Sequence, residues 1–366
     1  MLALPEAPFE KLVCAALRGE SPRWPFRDVG SVDVLLEFVA RNHVETLLAR
    51  AVKTLDWPAA IDNKLHTLSN VRAVWELRHQ AVISDIIDDL ASVGIQPVLF
   101  KGTSLAYSLY PDPTLRQRYD TDIIIHPNSV YSADTILRSK SFQHRSGQGT
   151  TIANQSSYWL DAGTQIDLHW RVNNSNLLAG ILSYDEMLEH AVPLPKFSAS
   201  ARAADPIHAL IIACFHRANH SSSHGWNRLA WLYDIHLLAQ SLSAEQWSDV
   251  VTTAGAKKMK SALNKALTAS QSKFDTAVSD AILRELSDPP QYERVSDYVS
   301  SGPVRSFWLD LRSLEHHSQK LKFVRDVVFP PRIHMEKKYG MKLSSFSLPF
   351  FYTKRAVQGV WDRLNV

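Results

Sequence analysis

Three stretches decide the reading: Leu99-Phe100-Lys101-Gly102-Thr103, Arg116-Gln117-Arg118-Tyr119-Asp120-Thr121-Asp122-Ile123-Ile124-Ile125, and Ile166-Asp167-Leu168-His169-Trp170. The first is a short apolar run that reads as a strand over 95–100 and breaks at once into Lys-Gly-Thr, with a helix expected over 104–110. The second carries β-branched residues through Asp120 to His126 and reads as another strand. Side chains two apart on a strand share a face, so Asp120 and Asp122 place two carboxylates together, about 7 Å apart at the backbone. In the third stretch Asp167 stands between Ile166 and Leu168 on a strand expected over 165–172, with His169 and Arg171 on its own face.

Working outward, a helix over 127–140 and a strand over 158–160 complete a small α/β unit. Before it the pattern is helical over 9–17, from a Ser31 cap onward, over 43–55, and over 59–93, with Gly94 as a C-terminal cap. Leu65, Leu68, Val71, Val74, Trp75, Val82, Ile86 and Leu90 read as the buried stripe of the long helix. After Pro193 and Pro195 helices return over 205–220 and 225–240, and Ser243 and Gln246 have capping-box spacing. Asp288-Pro289-Pro290 and Phe329-Pro330-Pro331 punctuate the C-terminal part of the chain. The expected organisation is an N-terminal helical region (1–94), an α/β core with a small mixed sheet (95–195), a helical domain packing on the cleft (196–300) and a helical tail (301–366).

Composition bounds the partners. The 366 residues carry a net charge of +3, which divides into +7 for 317–366 and −4 for the rest. A basic tail on a mildly acidic body fits an anionic partner as well as a solvated basic face. Only 2 cysteines, Cys14 and Cys214, are present, which excludes a disulfide scaffold and a cysteine zinc site and suits a cytoplasmic protein. No apolar run approaches the ~20 residues of a membrane span. Glu6, Glu10 and Lys11 interrupt any signal-peptide core.

Asp120, Asp122 and Asp167 on one sheet face repel one another unless they share cations, and hard Mg²⁺ or Mn²⁺ with oxygen ligands answers that need. Two ions about 3.5–4 Å apart suit in-line displacement at phosphorus. Gly102 and Thr103, between a strand and a helix, suit close approach to phosphate, and Arg116 and Arg118 suit a polyphosphate tail. Lys101 suits either a phosphate or a core acid. His216 and His220, four apart on a helix, read as packing and hydrogen bonding beneath the cleft rather than a metal pair with Asp234, with His220 and Arg228 able to meet an acceptor or phosphate. Trp170, Trp226 and Trp231 read as core. No nucleophile-elbow context supports serine hydrolysis.

With Tyr110-Pro111-Asp112-Pro113, Arg116 and the helical pattern His216, His220, Trp226, Arg228-Leu229, Trp231, Asp234, these motifs resemble the uncharacterised bacterial nucleotidyltransferase family of the DNA polymerase β-like superfamily. The resemblance covers most of 95–240 and extends faintly to Phe329-Pro330 and Tyr352. It departs from the superfamily in its Gly-Thr turn, in the long interval to Asp120, and in Ser221–His224, which reads as a small insertion. It implies NMP transfer from an NTP to an acceptor hydroxyl or phosphate. In that reading Asp120 and Asp122 hold the ions, Asp167 completes the second site and helps deprotonate the acceptor, and Lys101, Gly102, Thr103, Arg116 and Arg118 bind the nucleotide. His169, Arg171, His216, His220 and Arg228 lie toward the acceptor. A toxin-like enzyme modifying tRNA or protein, with the basic tail as platform, and a silent nucleotide-binding module remain open alternatives.

Overall fold

The computed structural model describes residues 6–28, 30–146, 153–160, 163–224, 227–287 and 292–364. Four helices come first: α1 (Glu6–Leu17), α2 (Gly30–Asn42), α3 (Glu45–Ala51) and the long α4 (Ala59–Ser92). An α/β segment comes next, with β1 (Val98–Phe100), α5 (Gly102–Ser108), β2 (Thr121–Ile124), α6 (Val130–Ser139), β3 (Gln143–Ser146), β4 (Gln155–Leu160) and β5 (Thr164–His169). Short helices α7 (Asn176–Ala179) and α8 (Tyr184–Glu189) lead to β6 (Val192–Pro193) and β7 (Arg202–Ala203). The rest is helical: α9 (Pro206–His224), α10 (Leu229–Ser241), α11 (Ala244–Ala256), α12 (Lys260–Phe274), α13 (Asp280–Ser287), α14 (Arg294–Ser300), α15 (Pro303–Ser313), α16 (His317–Val328), α17 (Arg332–Tyr339) and α18 (Leu348–Leu364).

The strands form one mixed sheet in the order β3-β4-β5-β2-β1-β7-β6. At its centre β2 runs antiparallel to β1 and parallel to β5, in a register that sets Asp122 directly opposite Asp167. The pleat then sorts the residues. Leu99, Ile123, Ile166 and Leu168 turn to one face and bury against Ile83, Ile86, Ile87 and Leu90 of α4. Val98, Phe100 and Ile124 turn to the other and pack beneath α9 to α12 through Leu210, Ile211, Phe215 and Leu263. The helices α1 to α3 bury Phe9, Leu35, Phe38 and Leu48 against Leu229, Leu232 and Phe274, so they pack on α10 and α12. An α/β core held between helical layers is the fold class that the sequence pattern implied.

Local chemistry explains the boundaries. The α4 terminus is a Schellman motif: Gly94, at φ +81°, donates its N–H to Ala91 and Ile95 donates to Leu90. Ile95 is thereby spent on the helix end, and β1 begins at Val98 rather than at residue 95. The Ser243–Gln246 capping box at α11 is present with both of its hydrogen bonds. Ser31 does not stand outside its helix as a cap: α2 begins at Gly30 and the Ser31 side chain is buried. The edge strands β3 and β6 and the short β7 beside β6 escape the sequence reading because they are two to four residues long and polar or proline-bearing. The Asp288–Pro290 punctuation lies outside the described residues.

The expected stripe of α4 holds at Leu65, Ile86 and Leu90, with Trp75 and Val82 half-buried, and fails at three positions. Leu68, Val71 and Val74 are exposed, at 41, 62 and 70 %. The helix instead turns Glu76 and His79 inward, both buried. Glu76 Oε1 accepts from Arg118 Nη2 at 2.5 Å and from the Tyr107 hydroxyl at 2.7 Å, and His79 Nε2 shares a 2.7 Å hydrogen bond with the Thr121 hydroxyl. Buried polar groups must find partners, and that demand overrides the apolar pattern here.

A second buried pair ties the segment before β2 to α10. Arg116 donates from Nε and Nη2 to the two oxygens of Asp234 at 2.6 and 2.7 Å, and the Tyr110 hydroxyl adds a third donor at 2.8 Å. Removing one partner of such a pair strands the other charge without solvent. Asp234→Ala should therefore cost about 3–5 kcal/mol of unfolding free energy in urea, and Arg116→Met with Asp234→Leu should recover most of it. A cost below about 1 kcal/mol for the single variant would show that the pair does not anchor this segment.

Candidate active site

The strand-to-helix turn at Lys101 is the first unusual feature. Lys101 has φ +59° and ψ −134°, a conformation that non-glycine residues rarely hold and that costs on the order of 1–3 kcal/mol. It delivers the ammonium to the sheet, where Nζ donates to Asp122 Oδ1 at 2.7 Å. His169, one strand away, donates from Nε2 to the same oxygen at 2.9 Å. Of the two open readings of Lys101, the structure shows the core acid.

Asp122, Asp167 and His169 bring one ligand atom each within 4.8 Å of one another. Asp167 keeps its carboxylate in place by accepting 3.2 Å bonds from Gln155 and Gln165, one to each oxygen. Among the described residues the buried His169 Nδ1 has no hydrogen-bond partner. Asp120 stands one residue before β2 and lines the cleft, outside this close trio.

The electrostatics divide the acids. Burial, with the negative charges of Asp122 and Asp167, pushes the Asp120 carboxyl up to about 7. Burial would also raise Asp122, but the Lys101 ammonium and the His169 ring outweigh it and hold that carboxyl well below the usual range. Burial and the nearby Lys101 charge lower His169 and His216, so both rings are neutral at pH 7.

Around the acids opens a cleft of about 480 Å³, within the ordinary size of a small-ligand site. Lys101, Gly102, Arg116, Arg118, Asp120, Asp122, Asp167, His216, His220 and Arg228 all line it. The sequence reading therefore assembled a real neighbourhood from residues over 120 positions apart. A Cβ at Gly102 would meet Arg118 Cδ at 3.4 Å, an ordinary contact, so packing alone does not demand glycine there.

Several expected roles differ in the structure. The guanidiniums of Arg116 and Arg118 are buried in ion pairs with Asp234 and Glu76, so they brace the loop that carries Asp120 rather than offering unengaged charge to a polyphosphate. The Thr103 side chain is buried, accepting from Arg118 Nε at 2.9 Å and sharing a 2.8 Å bond with Thr121. Arg171 is not a cleft residue: β5 ends at His169, and Arg171 is exposed in a separate pocket beside Ser313 and Glu315. His216 and His220 lie 4.4 Å apart by ring centroids and both pack against Trp231, which is the packing role. Asp234 is engaged by Arg116 and Tyr110, so no metal pair with these histidines forms. The stretch Ser221–His224 continues α9, and Trp226 lies outside the described residues.

His169 was placed toward the acceptor by sequence and is a direct partner of Asp122 instead. Missed altogether were His43, Tyr119, Asn173 and Asn174, which line the cleft. His43 sits in a left-handed turn between two helices, where no motif marks it. Tyr119 could have been found, since it precedes Asp120 directly.

A central strand pair thus sets two opposed carboxylates against a cleft of ligand size. The chain belongs to the uncharacterised nucleotidyltransferase family, whose model matches residues 30–275, from the start of α2 to the end of α12. Among solved structures it is similar to an antigenic nucleotidyltransferase-like protein from Paracoccidioides brasiliensis, at 14 % identity over 56 % of this chain and 96 % of that one, with a TM-score of 0.34. No curated protein matches the chain. Among the described residues no helix is long and apolar enough to cross a membrane.

The raised Asp120 carboxyl makes a prediction for the metal-free protein. A folded-state pKa above the ordinary 3.8 means stability that is full below that value and is lost as pH rises through about 7. Asp120→Asn removes the loss. The variant should be more stable than wild type by about 1–2 kcal/mol at pH 8, allowing for solvent in the cleft, and equal to it near pH 4. Denaturant unfolding at the two pH values measures this, and a destabilised variant at pH 8 contradicts it.

Proposed function

We propose that the chain is a divalent-metal-dependent nucleotidyltransferase that moves NMP from an NTP to an acceptor hydroxyl and releases pyrophosphate. The observation that carries this reading is the set of acids on adjacent strands, Asp122 opposite Asp167 with Asp120 beside them, facing a cleft of ligand size. The donor set fits a hard cation: carboxylate oxygens held in register, with only the Lys101 ammonium and the neutral His169 at Asp122. Mg²⁺ or Mn²⁺ held by Asp122, Asp167 and Asp120 would neutralise charge building on the phosphates.

The chain's own residues do the rest. Lys101, on its strained turn, can exchange Asp122 for a phosphate oxygen, and Arg228 lines the same cleft as a second charge. The acceptor oxygen forms a bond to the α-phosphorus as the bond to the pyrophosphate oxygen breaks. Its proton passes to a carboxylate of the cluster, for which Asp167 is held in place by Gln155 and Gln165. Arg116 and Arg118 act at one remove, by fixing the loop through their buried ion pairs. In this account residues 95–195 form the catalytic core, 1–94 and 196–300 wall the cleft, and the basic segment 301–366 is a surface for an anionic acceptor, an RNA among the candidates.

Thermal unfolding with each NTP, with and without Mg²⁺, tests the reading. Wild type should be stabilised by at least one NTP in the presence of metal, by about 2.7 kcal/mol at 100 times Kd. Asp122→Asn should abolish that shift and lower pyrophosphate release at least about 100-fold. Stabilisation by no nucleotide, or equal stabilisation of Asp122→Asn, would refute metal-dependent transfer at this site.

A further inference from the structure

Tyr119 is an aromatic residue that the fold holds firmly yet leaves half in solvent. It is 50 % exposed and forms part of the cleft wall, directly before Asp120. Its hydroxyl accepts from Arg72 Nη2 at 2.7 Å and from Gln117 Nε2 at 3.0 Å. The Arg72 guanidinium also lies over the ring, 4.4 Å from its centroid. His43 meets the ring nearly at right angles, with centroids 5.4 Å apart. Exposed tyrosines are ordinarily free to change rotamer, and ordering one has an entropic cost. Here three residues from α4, the α2–α3 turn and the loop itself order a ring that buries little.

From this geometry we propose that Tyr119, braced by Arg72 and Gln117 and flanked by His43, is the surface against which the planar base of the nucleotide packs. The inference rests on the proposed nucleotidyl transfer and adds a nucleobase subsite built partly by the N-terminal helices. A flat π-surface in a cleft wall recognises a base by stacking, which every base can provide and inorganic phosphates cannot. The other aromatic of the wall, Trp231, is buried against His216, His220 and Arg228, whereas half of Tyr119 stays open. The His43 ring stays neutral because burial and the charges of Arg228, Arg116 and Arg72 disfavour its protonation. It thus presents one donor and one acceptor nitrogen, the hydrogen-bonding chemistry of a base edge.

Calorimetric titration of the full chain in Mg²⁺ with an NTP and, separately, with inorganic tripolyphosphate tests the subsite. Wild type should bind its preferred NTP more tightly than tripolyphosphate. Tyr119→Ala and Tyr119→Leu should weaken NTP binding by about 5- to 100-fold and leave tripolyphosphate within about twofold, while Tyr119→Phe keeps most NTP affinity. NTP binding unchanged in Tyr119→Ala, or equal losses for both ligands, overturns the subsite and leaves nucleotidyl transfer standing. Wild type that binds neither ligand overturns both.

Discussion

Two carboxylates face each other across adjacent strands, and the protein is organised around the repulsion between them. The β2–β5 register fixes Asp122 opposite Asp167, and hydrophobic burial of Ile123, Ile166 and Leu168 on the reverse face fixes that register in turn. A slip of β5 by one residue would turn Asp167 into the apolar layer and Ile166 and Leu168 out of it. The acids cannot move apart, so charge must come to them. In the chain itself that charge is Lys101, brought in on a backbone conformation that a lysine adopts only under constraint.

The constraint reaches well beyond the sheet. The loop carrying Asp120 is pinned on one side by Arg116 to Asp234 on α10 and on the other by Arg118 to Glu76 on α4. Both pairs are buried, and each joins the loop to a different helical layer. The helices are therefore more than a cover for the sheet. Through these ion pairs and through His43, Arg72 and Arg228 they determine where the site's walls stand.

Much of this was legible in sequence, and the reasons are physical. The strand alternation at Ile123-Ile124-Ile125 and Ile166-Asp167-Leu168 is local and carries the fold class with it. Asp122 and Asp167 were legible because charge in an apolar strand needs a cause, whereas Asp120, one residue before β2, was marked only by its spacing from Asp122. The roles of Arg116 and Arg118 were not, because their partners Asp234 and Glu76 lie 118 and 42 residues away. The same distance hid the inversion of α4, where Glu76 and His79 turn inward only because Arg118 and Thr121 wait there. Arg171 was misplaced by assuming that a strand continues past His169, and no periodic rule marks where pairing stops.

In the proposed reaction the Asp122–Asp167 pair holds the cation, and Lys101 yields its place at Asp122 when substrate arrives. Anomalous diffraction from crystals of the protein grown with Mn²⁺ and a non-hydrolysable NTP analogue tests it most directly. A manganese peak bound by Asp122 and Asp167 is expected, with the Lys101 ammonium moved from Asp122 to a phosphate oxygen. Nucleotide bound in the cleft with no manganese at these carboxylates, and Lys101 still on Asp122, would contradict it.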